Sequence, residues 1–159
     1  MILRAERDED RGAIRQVHLA AFPSAAEADL VDRLRADGDA VLSLLAEKDG
    51  QVAGHVLFSR MAAPVGALGL APVAVLPAFR RQSTAAGLIE MGLRDAAARG
   101  WKLVFVLGAP AYYGRFGFDA ARARDFSSPY AGEHFMACDL GAAEICGRAE
   151  YAPAFASLG

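Results

Sequence analysis

An α/β domain, in the α+β sense of a mixed and mostly antiparallel sheet with helices on both faces, is the fold class this sequence predicts. Three observations carry that expectation. Asp49-Gly50 lies between two apolar runs, 41–47 and 51–59, which is a hairpin signal. Residues 68–76, 83–99 and 103–107 read in turn as strand, helix and strand, a central parallel βαβ unit. Two short helical patterns precede the hairpin, giving the sheet a second layer.

The elements follow in order. Ile2-Leu3-Arg4 reads as a short first strand. Asp8-Glu9-Asp10 places negative charge where a first helical turn favours it, ahead of Ile14, Val17, His18 and Ala21 at helical spacing. Phe22-Pro23-Ser24 breaks that helix, and Ser24 with Glu27 three residues on predicts a capping box for a second helix through Leu34. Strands 41–47, 51–59 and 68–76 form a successive antiparallel set. The helix over 83–99 gathers Ala85, Leu88, Ile89, Gly92, Leu93 and Ala96 on one face and stops at Gly100. Leu103 to Leu107 reads as a strand buried on both sides. Pro110 opens a short helix over Ala111-Tyr112-Tyr113, ended by Gly117-Phe118. Residues 119–132 read as loop with a weak strand, and 134–140 as a final strand. The segment 141–159 reads as an extension that packs back through Tyr151 and Phe155.

Composition narrows the class. A chain of 159 residues, 54% hydrophobic and 23% charged, is long enough for one cored domain, expected over 1–159. A net charge of −2 offers no broad basic field for nucleic acid, so any phosphate contact must be local. Cys138 and Cys146 lack metal-ligand spacing, and no carboxylate–histidine pair suggests a metal. No apolar leader or membrane span is visible, so a cytoplasmic location is expected.

The stretch LGLAPVAVLPAFRRQSTAAGLI, residues 68–89, organises the rest. Pro77 stops an apolar strand, a basic turn follows (Phe79-Arg80-Arg81-Gln82), and a helix opens on Ser83-Thr84-Ala85-Ala86. A helix N-terminus presents unpaired N–H groups and the positive end of the helix dipole, with two arginines alongside. An anion is expected there, beyond the C-terminal end of a βαβ strand.

The order of elements and three local segments resemble the GNAT superfamily of N-acetyltransferases over roughly residues 2–140. The segments are LAPVAVLP, the hexapeptide Arg80-Arg81-Gln82-Ser83-Thr84-Ala85 in place of Gln/Arg-x-x-Gly-x-Gly/Ala, and PAYYGRFGF. The resemblance implies an acetyl-CoA cosubstrate, its pyrophosphate on the backbone near Gln82 to Ala86, with Arg80 and Arg81 touching phosphate. It also implies a pantetheine arm paired with Val73, Ala74 and Val75 where strands 68–76 and 103–107 splay, with the Val75 amide as oxyanion donor. Tyr113, four residues before Gly117-Phe118, becomes the general acid, a phenol protonated at neutral pH. Tyr112, about 100° round the helix, is expected to pack. Ser83 replaces the motif's first glycine; serine does not readily take φ > 0, and its hydroxyl is expected to compete for the helix amides.

The general base stays open between Glu27, on the helix lining the acceptor side, and His55, whose reference pKa near 6.5 suits the task. The acceptor is a small-molecule or protein amine attacking directly in a ternary complex. Residues 22–35, 55–65 and 119–135 are expected to wall its pocket, without a charge pattern that names it. Two alternatives remain: a non-catalytic acyl-CoA-binding module, and a domain taking another phosphorylated ligand at 80–86. A homodimer is compatible with the resemblance.

Overall fold

A computed structural model describes residues 1–141 and 144–158; residues 142, 143 and 159 of the expected C-terminal extension lie outside the described residues. Six strands form the main sheet in the order β1 (Ile2–Ala5), β2 (Ala40–Lys48), β3 (Gln51–Arg60), β4 (Ala67–Val75), β5 (Leu103–Leu107) and β7 (Phe135–Asp139). Every neighbouring pair is antiparallel except β4 and β5, which run parallel. Asp49 and Gly50 turn the β2–β3 hairpin with φ of 53° and 75°, the positive values of a type I′ turn.

Helices α1 (Arg11–Ala21) and α2 (Ala26–Ala36) cover one face, and α3 (Thr84–Ala98) covers the other. Leu88 and Ile89 of α3 bury against Phe58, Leu68, Val104 and Met136. On the opposite face Leu30, Val31 and Leu34 of α2 pack on Leu57 and on Ala152, Ala154 and Phe155 of the tail. Ile14 and Val17 of α1 pack on Leu45 and Ala74. The region expected as loop holds a short helix α5 (Ala120–Ala123), capped by the Asp119 carboxylate, and β6 (Phe126–Ser127), which pairs with β8 (Gly147–Arg148) in a separate ribbon. Helix α4 (Pro110–Tyr113) follows β5.

Two expectations are corrected here. The Ser24–Glu27 capping box does not form: α2 starts only at Ala26, so Glu27 is its second residue and cannot reach back, and the Ser24 hydroxyl accepts from the Ala26 amide at 3.2 Å. The acidic run is more than helix-start charge. Asp10 is buried, accepts two bonds from the Arg4 guanidinium at 2.8 and 3.0 Å, and takes the Arg7 amide at 2.7 Å.

The parting of β4 from β5 has a local cause. Their ladder holds only Ala67–Leu103, Leu68–Val104 and Gly69–Phe105. Just beyond it, Leu70 and Val73 of β4 pair with Phe58 and Val56 of β3, so two β4 residues, Ala71 and Pro72, face the single β3 residue Leu57. Such a bulge bends its strand, and Pro72 has no N–H to offer a ladder.

The Arg4 guanidinium, first through its hydrogen bonds, holds the Asp10 carboxyl at about 2. A depressed carboxyl stabilises the fold at pH above the unfolded value of about 3.9, and that contribution is lost as pH falls toward 2. Asp10→Asn should therefore lower stability at pH 7 by about 2 kcal/mol, leaving Arg4 short of a charged partner. The urea midpoints of the two proteins should converge near pH 2.

Candidate functional site

The bulge opens a gap whose edges are backbone. The Leu76 amide donates to the Ala53 carbonyl at 2.8 Å, toward β3. Strand alternation then turns the amides of Val75 and Val73 the other way, into the gap. Ala74, expected beside them, commits its backbone to β3 opposite His55 and buries its methyl under α1.

At one mouth of the gap is a pocket of about 330 Å³. Its floor is the turn into α3. The Gly87 amide is tied to the Ser83 carbonyl at 3.0 Å, and the amides of Thr84, Ala85 and Ala86 precede any helical acceptor. Val75, Phe79, Arg80 and Arg81 complete one wall. Arg80 and Arg81 are exposed and, among the described residues, no ion pair is formed by either. Ser83 behaves otherwise than expected. It takes the left-handed conformation (φ 60°, ψ 20°) that glycine would supply, and its hydroxyl caps nothing, so the three amides stay open to an anion. Arg81 is left-handed too, at φ 64°. The Gln82 side chain turns away from the pocket, accepting from Lys48 at 3.3 Å and donating to the Ala78 carbonyl at 3.4 Å. The Thr84 side chain is buried, so only its amide is available.

The opposite wall is Tyr112 and Arg115. The guanidinium of Arg115 lies 4.5 Å from the centre of the Tyr112 ring and adds a third cation to the pocket. Neither stood out in the sequence: Tyr112 reads as a packing residue, and Arg115 becomes a pocket residue only when the α4 turn folds it back over Tyr112. The cue available was an arginine three residues after a tyrosine on one helical turn. Tyr113 sits across the end of β5. A Cβ on Gly108 would lie 2.3 Å from its ring, so the glycine is what admits it. Phe118 meets the ring edge-on at 5.8 Å, and burial, with Tyr112 adding, raises the Tyr113 phenol above its ordinary range.

His55 is fully buried and both its ring nitrogens are engaged. Nδ1 is 2.8 Å from His18 Nε2, and Nε2 is 2.7 Å from the Ser43 hydroxyl. Ser43 donates in turn to Glu6, which holds a bidentate pair with Arg35 at 2.6 and 3.0 Å. One proton order satisfies this chain. With the Ser43 proton on Glu6, His55 donates through Nε2 and accepts through Nδ1 from His18, leaving His18 Nδ1 as a bare acceptor. Both rings are held neutral by burial, His18 at about 4 and His55 well below the ordinary histidine value. Glu27 is placed quite differently. It lies on the buried stripe of α2 with Leu30, Val31 and Leu34, the stripe that packs on Leu57, Ala71 and Tyr151. Its Oε1 is buried without a hydrogen-bond partner.

Among the described residues no cluster of histidine, cysteine, aspartate and glutamate could hold a metal, and no helix is long and apolar enough to cross a membrane.

Two outcomes follow from this geometry. Left-handed serine is strained by about 1–2 kcal/mol, so Ser83→Gly should raise stability by about 1 kcal/mol in urea unfolding. The histidines stabilise the fold fully above their unfolded pKa of about 6.5, and the contribution is lost as pH falls toward 4. Between pH 7.5 and 5 the unfolding free energy should drop by on the order of 2–4 kcal/mol. An unchanged urea midpoint over that range would mean that the rings protonate freely in the folded protein.

The model of the Acetyltransferase (GNAT) family matches residues 11–118. The Escherichia coli K12 N-acetyltransferase YhbS is 39% identical over 140 residues, covering 83% of this chain and 81% of that one. The N-acetyltransferase YjhQ of the same organism is 38% identical over 130 residues, covering 76% of this chain and 71% of that one. The crystal structure of E. coli YhbS in complex with CoA matches with a TM-score of 0.92 and 35% identity, over 99% of this chain and 93% of that one. A GNAT family acetyltransferase from Brucella melitensis in complex with acetyl-CoA matches with a TM-score of 0.83 and 36% identity, over 97% of each chain. With a gap between β4 and β5, open amides at the start of α3 and these relatives, the chain belongs to the GNAT acetyltransferase family.

Proposed function

We propose that this chain is an acetyl-CoA-dependent N-acetyltransferase in which a primary amine attacks directly, within a ternary complex. The observation that carries the reading is the continuity of the arginine-rimmed pocket with the backbone edge of β4, both of which include Val75. CoA and acetyl-CoA occupy the two similar crystal structures, and the residues here fit the same group. The amides of Thr84, Ala85 and Ala86 would hold the pyrophosphate, aided by Arg80, Arg81 and Arg115. The backbone of Val73 and Val75 would pair with the pantetheine amides, as another strand would. Acetyl-CoA supplies the activated acyl group at its thioester.

The chain's own groups do the rest. The Val75 amide faces the gap and serves as oxyanion donor, a fixed dipole that needs no reorganisation. Tyr113 returns a proton to the departing sulfur; its half-buried phenol stays protonated at neutral pH. Glu27 takes the proton of the amine. The failed capping box leaves its carboxylate uncommitted, and its unpartnered oxygen lies on the α2 stripe that packs on Leu57 of β3 and on the tail. His55 is the weaker choice, since an amine cannot approach a ring whose two nitrogens are already bonded inside the core.

CoA at about 100 times its Kd should stabilise the protein by about 2.7 kcal/mol, read as a rise of several degrees in Tm. Tyr113→Phe and Glu27→Gln should each lower kcat about a hundredfold while leaving that rise intact. The Glu27→Gln loss should be smaller at high pH, where the amine arrives already neutral. Equal rates in wild type and Tyr113→Phe would remove the phenol from the chemistry. A rise with CoA but no turnover of any amine would leave a binding module.

A further inference from the structure

The other mouth of the gap has the opposite character. A second pocket, of about 260 Å³, begins at Leu70 and Ala71 of β4 and Leu107 of β5, the residues just past the end of the shared ladder. Its outer wall is Tyr130 with Tyr151, Phe155 and Leu158 of the tail. No side chain lining it carries a charge; the tyrosine hydroxyls are its polar groups. Leu107, Tyr130 and Leu158, three of the exposed large apolar side chains of the described residues, all line it. The pocket is built into the fold. Tyr151 lies on Gly69, the last β4 residue in the ladder, where a Cβ would come within 2.7 Å of its ring. Tyr130 and Phe155 hold that ring at centroid distances of 5.6 and 5.0 Å.

We infer that this pocket is the acceptor subsite and that it selects amines bearing a compact, uncharged apolar group, such as a branched aliphatic or phenylalkyl amine. The inference rests on the acetyltransferase reading and adds the substrate class. Its position supplies the first argument: Ala71 and Leu107 flank the gap on the side away from the arginines. Its chemistry supplies the second. A polyamine or a lysine-bearing substrate brings a further ammonium, and an amino acid brings a carboxylate. Neither finds an opposite charge on these walls, and a charge buried without a partner is expelled. Glu150, which lines the adjoining pocket, is already paired with Arg148 at 2.9 Å. An apolar group instead gains with each methylene it removes from water. Of the expected walls, 119–135 contributes Tyr130, while 22–35 and 55–65 contribute nothing to the lining of this pocket; the tail takes their place.

The test is thiol release from acetyl-CoA by the full chain with isoamylamine and phenethylamine against putrescine and spermidine. Leu107→Glu is the paired variant; Leu107 is 43% exposed, so the substitution should not unfold the protein. The apolar amines should show kcat/KM at least about tenfold higher than the polyamines, a difference expected of a pocket that sorts by methylene content. Leu107→Glu should reverse that order. If polyamines are preferred, or if all four amines react alike, the inference fails while the acetyltransferase reading stands. If none reacts, the same amines are added to the CoA-bound protein in a melting assay: a further rise with isoamylamine that Leu107→Glu abolishes supports the subsite, and no rise overturns it. A dimer in sedimentation that Leu107→Glu dissociates would assign the pocket to a second copy and overturn the inference. No melting shift with CoA itself would instead remove the acetyltransferase reading.

Discussion

The site depends on a ladder that stops after three residue pairs. Parallel strands β4 and β5 share only Ala67 to Gly69 with Leu103 to Phe105, and the bulge at Ala71–Pro72 then carries β4 away. Had the pairing continued, the amides of Val73 and Val75 would be spent on β5 and the sheet would present no open edge inside the protein. Backbone polar groups left unpaired in a sheet interior are costly, so this arrangement favours a ligand that can act as the missing strand. The bulge is held from the other side by β3, a strand buried along nearly its whole length and paired with both β2 and β4. Rigidity there lets the gap persist.

Strain and burial are concentrated around the same feature. Two non-glycine residues, Arg81 and Ser83, sit at positive φ in the turn that presents the α3 amides. That conformation costs roughly 1–2 kcal/mol at each, and strain of this kind persists where the surrounding structure over-determines the backbone. Beneath the sheet, the chain from His18 through His55 and Ser43 to the Glu6–Arg35 pair crosses from α1 to α2 by way of β3 and β2. Its hydrogen bonds all run in one direction toward a carboxylate, so each polarises the next. It ties both helices of that layer to β2 and β3, while taking His55 out of reach of any substrate.

Much of this was legible in residues 68–107, where period-two and period-3.6 patterns alternate cleanly and the turn chemistry is explicit. The strands β4 and β5 and helix α3 fall within a residue of their expected bounds. What was not legible has identifiable causes. A one-residue shift in the start of α2 turns a capping glutamate into an inward-facing one, and no local pattern announces which start wins. The conformation of Ser83 is decided by the turn around it, against the preference of serine. Tyr112 and Arg115 reach the pocket only through the fold of α4. The acceptor-side pocket depends on the tail returning across β4, a contact with a sequence separation of some eighty residues between Gly69 and Tyr151 that only the missing Cβ at Gly69 permits.

The two mouths of the gap argue for transfer in one step. Three arginines and a helix N-terminus stand at one, and uncharged apolar walls at the other. A cosubstrate with a polyanionic head and an acceptor with an apolar body can therefore enter from opposite sides without competing for the same groups, as a ternary complex requires. A route through an acylated enzyme would need a nucleophile where the two meet. The cysteines are misplaced for it. Cys138 is buried in the α3-side core, where burial raises its thiol, and Cys146 is exposed near the β6–β8 ribbon. A raised thiol carries little thiolate at neutral pH, and a thiolate is what such a route would use. The direct attack proposed for the amine needs no nucleophile of the chain's own.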